Sequence, residues 1–168
     1  AGLASVAGGC HLWRMTQTSD PLDMTSLDAT ARRMADAARS AILPYFRQAG
    51  LQSENKLDGG FDPVTEADRA AERAMRAILS EDRPADAVLG EEYGHSDGTS
   101  GLTWVLDPID GTRGFVSGTP TWGVLIAVAD ATGPFYGLID QPYIGERFVG
   151  SAGAATLTGP LGTSALTT

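Results

Sequence analysis

The sequence predicts an α+β fold in which helices come first and strands follow. Two stretches with apolar residues at helical spacing lie between residues 27 and 79, and short apolar runs bounded by Gly, Pro and Asp follow residue 84. No later stretch is long and periodic enough to serve as a crossover helix between parallel strands. Helices followed by successive strands therefore indicate a layer of helices packed on a sheet.

The first helix is predicted to begin near Leu27. Its apolar positions recur three or four residues apart, and they are Leu27, Ala31, Met34, Ala35, Ala38, Ile42 and Phe46. Thr25 or Ser26 is a suitable N-cap, because a hydroxyl can accept a hydrogen bond from the first turn. Pro44 should end or kink the helix, because proline has no backbone N–H.

The second helix is predicted to begin at a capping box. Thr65 and Asp68 have the required spacing, although Asp stands where Glu or Gln is usual. One apolar face follows, made of Ala67, Ala70, Ala71, Ala74, Met75, Ile78 and Leu79. Pro84 should end this helix.

Strands are predicted after Pro84 from short apolar runs. The runs cover residues 87–89, 104–106, 122–129, 135–139 and 147–149. We expect Trp104, Trp122 and Phe115 to belong to the core. Beyond Gly150 the residues are small and polar, and we predict no helix or strand there.

Two carboxylates, Asp107 and Asp110, follow the apolar run at 104–106. Charged groups at the end of a buried strand are costly unless a cation neutralises them, and hard divalent cations prefer carboxylate and carbonyl oxygens. Gly111 and Thr112 come next, with backbone N–H groups and a hydroxyl that suit a phosphate at the start of a short helix. The alternative is an Asp-Pro turn with an Asx cap.

A second acidic pair, Glu91 and Glu92, follows the run at 87–89. In isolation such a pair is often only part of a solvated loop. If the two strand ends are neighbours, however, Glu91 would approach Asp107 and Asp110, and three carboxylates repel one another unless a cation lies between them. Asp68 has two open interpretations: a capping-box partner of Thr65, or a group that reaches the metal or Thr112.

Length and charge exclude several classes of protein. The 168 residues suffice for one well-cored domain. The formal net charge of −9 argues against binding nucleic acid or an anionic membrane. No apolar run approaches the roughly 20 residues of a membrane span. Cys10 is the single cysteine, so we expect no intrachain disulfide and a cytoplasmic protein. Residues 1–24 show no periodicity, and we expect a disordered leader.

The acidic motifs, in this order, resemble those of the magnesium-dependent phosphatases related to inositol monophosphatase. Residues 62–68, 90–92 and 104–112 are similar to the first, second and third motifs of that family. The resemblance covers residues 27 to 159. Within the family, residues 107–126, Arg113 and the Gln-Pro-Tyr at 141–143 look most like the histidinol-phosphate phosphatase branch.

The resemblance implies a fold and a metal site. The fold would be the N-terminal domain of a layered sandwich like those of inositol monophosphatase and fructose-1,6-bisphosphatase, with two helices on a mainly antiparallel sheet. The cofactor would be Mg²⁺. Its side-chain ligands would be Glu91, Asp107 and Asp110, and Ile109 would offer its carbonyl oxygen.

The resemblance also implies a substrate, a small phosphate monoester, with histidinol phosphate favoured and an inositol phosphate as the alternative. Asp110, Gly111, Thr112 and Arg113 would bind this substrate. Glu91, Thr112 and Asp68 would be the catalytic residues, with Asp68 orienting Thr112. Glu92 and Lys56 would have supporting roles.

The resemblance implies a second domain after residue 159, and we expect this domain to be missing from the chain. That domain contains a Trp-Asp motif whose aspartate completes the metal site. We therefore expect a phosphatase domain at residues 25–160 followed by a truncated tail at 161–168. An apolar face left open would be covered in part if two copies formed a homodimer. A non-catalytic module that binds metal or phosphate is the alternative function.

Overall fold

The computed structural model describes residues 22–48, 54–55, 63–64, 66–151 and 153–167. Its helices are α1 (Met24–Ile42), α2 (Glu66–Asp82) and α3 (Thr112–Ser117). Strands β1 (Glu54–Asn55) and β2 (Pro63–Val64) form a small antiparallel pair. The remaining strands are β3 (Ala87–Gly90), β4 (Gly94–Ser96), β5 (Thr103–Asp110), β6 (Gly123–Asp130), β7 (Gly133–Gln141), β8 (Glu146–Ser151), β9 (Ala154–Gly159) and β10 (Gly162–Leu166).

These eight strands form one sheet in the order β10-β9-β8-β7-β6-β5-β3-β4. Strands β3 and β5 are parallel, and every other neighbouring pair in this sheet is antiparallel. The predicted α+β fold, with helices packed on a mainly antiparallel sheet, is confirmed. The predicted short helix after Gly111 is also confirmed, as α3.

Helix α1 begins earlier than the hydroxyl residues suggested. The carboxylate of Asp23 caps it by accepting hydrogen bonds from the backbone N–H groups of Thr25 (3.1 Å) and Ser26 (3.4 Å). The prediction that Thr25 or Ser26 is the N-cap is therefore wrong, because Asp23 caps the helix and the backbone N–H groups of Thr25 and Ser26 already belong to its first turn. The helix ends at Ile42, just before Pro44, as predicted.

The core lies between the two long helices and one face of the sheet. The predicted apolar face of α1 is buried along its whole length, and Ala67, Ala71, Met75 and Leu79 of α2 pack beside it. Trp104, Phe115 and Trp122 are buried there as expected. The indole Nε1 of Trp104 donates a 2.8 Å hydrogen bond to Asp86, so this ring is held by both packing and a polar contact.

A buried ion pair joins α1 to the sheet. Asp140 of β7 is fully buried and accepts hydrogen bonds from Arg39 of α1 (2.7 Å) and Arg147 of β8 (2.8 Å). Because each carboxylate oxygen is contacted by a guanidinium, the charge of Asp140 is compensated inside the protein. These contacts fix the helix layer against β7 and β8.

The structure differs from the prediction beyond Gly150. Residues 154–159 and 162–166, which were expected to hold no strand and, from 161, to form a tail, are strands β9 and β10. Strand β4 was also not predicted. All residues of β4 and β10 are exposed, so no apolar alternation marks these strands, and backbone pairing with a neighbouring strand defines them instead.

The second face of the sheet, which we call the open face, is apolar and accessible. Leu89, Val105 and Ile139 are 45%, 38% and 44% exposed, and they alternate with core residues along β3, β5 and β7. A groove of about 600 Å³ runs across this face and is lined by Val105, Asp107, Ile139 and Phe148, among others. None of the described helices is long and apolar enough to cross a membrane.

Candidate metal and phosphate site

The parallel pair of strands brings two acidic segments to one end of the sheet. Gly90 of β3 lies opposite Leu106 of β5, and the N–H of Glu91 donates to the Leu106 carbonyl at 3.2 Å. Because parallel strands end at the same edge, Glu91 emerges beside Asp107. The ends of β3 and β5, after which the two acidic segments follow, are therefore hydrogen-bonded neighbours.

An irregularity in β5 separates Asp107 from Asp110. Asp107 pairs with Leu125 and Asp110 with Gly123, so three steps along β5 match two along β6. The extra residue forms a bulge that includes Pro108, which cannot donate a ladder hydrogen bond. Bulges change the direction of side chains at the end of a strand. Here the bulge allows both carboxylates to be presented at the same end of β5.

The environment of Asp107 is strongly acidic. Burial first, and then the neighbouring Glu91, Asp110 and Asp68, together raise the pKa of Asp107 from 3.8 to about 7. The Oδ1 atom of Asp107 is buried and has no hydrogen-bond partner among the described residues. A buried carboxylate oxygen without a partner, surrounded by other carboxylates, fits a position that a cation would stabilise.

Asp68 approaches from helix α2. Its residue is 4% exposed and its charge acts on Asp107, so the helix adds a fourth carboxylate to the cluster. Asp68 also lies in the first turn of α2, where a negative charge is favourable. Thr65, the expected partner in the capping box, lies outside the described residues, as do Lys56 and Asp62.

Gly111 and Thr112 connect the end of β5 to α3. Gly111 has φ of 84°, and a β carbon there would lie 2.6 Å from the carbonyl oxygen of Thr121, so only glycine fits. The hydroxyl of Thr112 donates to the carbonyl oxygen of Ile109 at 3.1 Å. The side chain of Ile109 is in the core, whereas its carbonyl oxygen faces this turn.

The remaining predicted residues lie at the surface of the cluster. Glu91, Asp110 and Arg113 are exposed. In the described part of the chain, no three Asp, Glu, His or Cys side chains already have the arrangement of a metal site. Glu91 already contacts Asp107 through a side-chain hydrogen bond. Binding of a cation would therefore require this contact to be exchanged and the exposed carboxylates of Glu91 and Asp110 to turn toward the cation, which their flexible side chains permit. The oxygen donors present suit a hard cation such as Mg²⁺.

Glu72 of α2 is a buried acidic residue that the sequence analysis missed. It is fully buried and accepts hydrogen bonds from the backbone N–H groups of Glu92 (2.7 Å) and Tyr93 (3.3 Å). Its position four residues after Asp68 and three before Met75 places it on the buried face of the helix. That spacing, with Arg76 four residues later, is the signal that could have identified it.

The model of the inositol monophosphatase family matches residues 23–164 of this sequence, which includes every described element of the site. This chain belongs to the inositol monophosphatase family. The predicted family is thereby confirmed.

Individual relatives in the inositol monophosphatase family include both phosphatase types. The chain is 42% identical over 139 residues to the histidinol-phosphatase of Streptomyces coelicolor, covering 80% of this chain and 51% of that protein. It is 36% identical over 143 residues to the inositol-1-monophosphatase ImpA of Mycolicibacterium smegmatis, covering 84% and 48%. Among solved structures, an inositol monophosphatase from Zymomonas mobilis is 44% identical with a TM-score of 0.63, covering 78% of this chain and 49% of that one. The chain spans about half the length of these relatives.

Proposed function

We propose that this chain is part of a magnesium-dependent phosphomonoesterase that hydrolyses a small phosphate monoester with an activated water molecule. The observation that supports the proposal best is the buried, unpartnered Oδ1 of Asp107 beside three other carboxylates. Family membership supports a phosphoric monoester hydrolase, because the relatives are phosphatases by name.

Four residues would hold the cation. Asp107 would supply the buried oxygen, Glu91 and Asp110 would turn their exposed carboxylates toward it, and Ile109 would offer its carbonyl oxygen. Mg²⁺, when bound, would neutralise the charge of a phosphate and lower the pKa of water. Asp107 must lose its proton before it can hold a cation, so binding would release a proton below about pH 7.

The substrate would lie between this cluster and the start of α3. Gly111, which has no side chain, permits close approach to its backbone, and Asp110, Thr112 and Arg113 surround the same position. The Thr112 hydroxyl donates a hydrogen bond to the carbonyl oxygen of Ile109, so its own oxygen remains able to accept a hydrogen bond from water. Glu91 and Thr112 would align the attacking water, Glu91 would accept its proton, and Asp68 would orient Thr112.

Histidinol phosphate is the substrate we favour. The support is Arg113 in the Thr-Arg-Gly-Phe segment, together with the 42% identity to the histidinol-phosphatase of Streptomyces coelicolor. Inositol 1-phosphate is the second candidate, favoured by the identity to the Zymomonas mobilis inositol monophosphatase. We also propose that the protein is cytoplasmic. We further propose that it forms a homodimer, which a measurement of its molecular mass in solution would test.

Phosphate release tests the proposed activity. The chain, and a form extended by a second domain from the Streptomyces coelicolor relative, should be assayed with histidinol phosphate and inositol 1-phosphate, with Mg²⁺ and with a chelator. We expect Mg²⁺-dependent release that is faster with histidinol phosphate. Release that is unaffected by the chelator, or absent from the extended form with every small monoester, would contradict the proposal.

A non-catalytic module is the second candidate function. The observation that favours it is that the described residues supply the unpartnered Oδ1 of Asp107 but no three ligating side chains already arranged as a metal site. Titration calorimetry separates the two candidates: Mg²⁺ binding that phosphate strengthens, with no turnover by the extended form, would favour the module. The variant Asp107→Asn should lose Mg²⁺ binding under both functions and therefore serves as the control for the titration.

A further inference from the structure

Helix α2 contacts the turn that contains Glu91 through a row of side chains. Arg69 lies 3.7 Å from the carboxylate of Glu92, and Arg73 donates to the hydroxyl of Tyr93 at 2.7 Å. Both of these contacts involve side chains of the turn. Glu72, which lies between the two arginines on the helix, instead contacts the backbone of the turn.

The carboxylate of Glu72 is satisfied by donors from two directions. Its Oε2 accepts from the N–H of Glu92 at 2.7 Å, and its Oε1 accepts from the N–H of Tyr93 at 3.3 Å and from Nε of Arg76 at 2.7 Å. A fully buried carboxylate is costly unless it is paired and hydrogen-bonded, and these three donors meet that cost. Two of them belong to the residues directly after Glu91.

Arg76 extends this network to the outer strand of the sheet. Its guanidinium donates to the carbonyl oxygen of Gly94 and, at 3.0 Å, to the hydroxyl of Ser96, both in β4. The turn between β3 and β4 is therefore held at its backbone by Glu72 and at its far end by Arg76. Glu91, at the start of this turn, is exposed, and its carboxylate contacts the neighbouring Asp107.

We propose that Glu72 is a positioning residue that holds the backbone of residues 91–93 so that Glu91 can bind the cation. This inference rests on the proposed function. A carboxylate ligand binds tightly only when its backbone is already in place, and outer residues that orient ligands typically change metal affinity by about 10–100-fold. Glu72 does not touch the cation or the substrate in this proposal and acts through Glu91.

The variant Glu72→Gln tests the proposal, with Glu66→Gln as the matched control on the same helix. The amide nitrogen of glutamine cannot accept a hydrogen bond, so at least one N–H of the turn or of Arg76 loses its acceptor. Glu66 is exposed and pairs only with Arg73 among the contacts described for it. We expect the Kd for Mg²⁺ from calorimetry to rise at least about tenfold in Glu72→Gln and to stay unchanged in Glu66→Gln.

Amide hydrogen exchange gives a readout that needs no metal. The amides of Glu92 and Tyr93 should exchange faster in Glu72→Gln, while those of β6 stay protected. If Glu72→Gln does not fold, Glu72→Asp repeats both measurements with the charge kept and the carboxylate withdrawn by one methylene. If a folded Glu72 variant kept the wild-type Kd for Mg²⁺, the inference about Glu72 would be overturned while the proposed function would stand. This holds even if the amide hydrogen of Glu92 exchanged faster. A wild-type chain that binds no Mg²⁺ would overturn the proposed function as well.

Discussion

Gly90 lies so close to Glu72 that a β carbon on residue 90 would overlap the Glu72 carboxylate. The last residue of β3 is therefore a glycine because a buried side chain of α2 occupies the space beside it. The same carboxylate accepts hydrogen bonds from the turn that follows Gly90. Close approach of strand and helix at this point determines where Glu91 leaves the sheet.

The variant Gly90→Ala should displace Glu72 and lower the free energy of unfolding by about 2 kcal/mol, as overpacking of a core typically does. Mg²⁺ binding should weaken at the same time. Gly137→Ala is the matched control, because a β carbon at Gly137 in β7 meets nothing within 4 Å. Denaturant unfolding of both variants checks the prediction, and equal losses of stability would contradict it.

The charge state of Asp107 should make the metal-free protein less stable as the pH rises. Its pKa is raised from 3.8 to about 7, so between these values the folded chain holds a proton that the unfolded chain has released. The stabilisation is complete below about pH 4 and is lost as the pH rises through about 7. Asp107→Asn should remove this decline and, without Mg²⁺, be more stable than wild type at pH 8 by on the order of 1–2 kcal/mol, a value reduced for partial solvent exposure.

Added Mg²⁺ should make the wild-type chain more stable than Asp107→Asn at pH 8, which reverses the order expected without the cation. At pH 8 the cation should stabilise the wild-type chain against thermal unfolding but should leave Asp107→Asn unchanged, because the variant lacks the anionic oxygen. Asp97→Asn is the control, since the side chain of Asp97 is fully exposed and away from the cluster. If Mg²⁺ stabilised all three proteins equally, Asp107 would not be a ligand.

Removal of the Thr112 hydroxyl should affect turnover far more than stability. Thr112→Val keeps the shape of the side chain but loses the donor to Ile109 and the proposed contact to water. We expect kcat for phosphate release from the extended form to fall about 100-fold, the size of loss that a misaligned reacting group can cause. The free energy of unfolding should change by only about 1 kcal/mol. Thr112→Ser should retain most activity, and equal losses in both variants would count against the hydroxyl.

Two buried tryptophans should respond differently to the same substitution. Trp104→Phe removes the donor to Asp86, whereas the Nε1 atom of Trp122 has no partner among the described residues. Both variants lose ring volume, but only Trp104→Phe leaves a buried acceptor with one donor fewer. We expect Trp104→Phe to cost about 1–2 kcal/mol more than Trp122→Phe in denaturant unfolding. The opposite order would show that packing around Trp122 dominates.

Apolar periodicity was sufficient to predict both long helices and the strands that border the core. Six predicted residues of the α1 face are buried in the helix, because apolar side chains recur on the side of a helix that faces the core. Thr30 is buried as well and was not predicted, because it is polar, and Phe46 is buried beyond the end of the helix. Strands β4 and β10 could not be predicted in this way. Their residues are exposed, and only the hydrogen bonds of a neighbouring strand define them.

The candidate site was predictable in composition but not in arrangement. Asp107, Asp110 and Glu91 attract attention because they follow apolar runs. The parallel register of β3 and β5, and the bulge before Asp110, depend on pairings between distant parts of the chain. The burial of Glu72 could not be predicted for the same reason. The backbone N–H groups that donate hydrogen bonds to its carboxylate belong to residues 20 and 21 positions along the chain.

Asp107 also lines the groove of the open face, so the acidic cluster and the apolar surface share one side chain. A molecule or domain that covers this groove would remove water from around the Asp107 carboxylate. If such coverage changes the affinity for a cation by some factor, the cation must change the affinity for the covering partner by the same factor. Assembly on the open face and loading of the acidic cluster would then be thermodynamically linked events, with Asp107 as their common member.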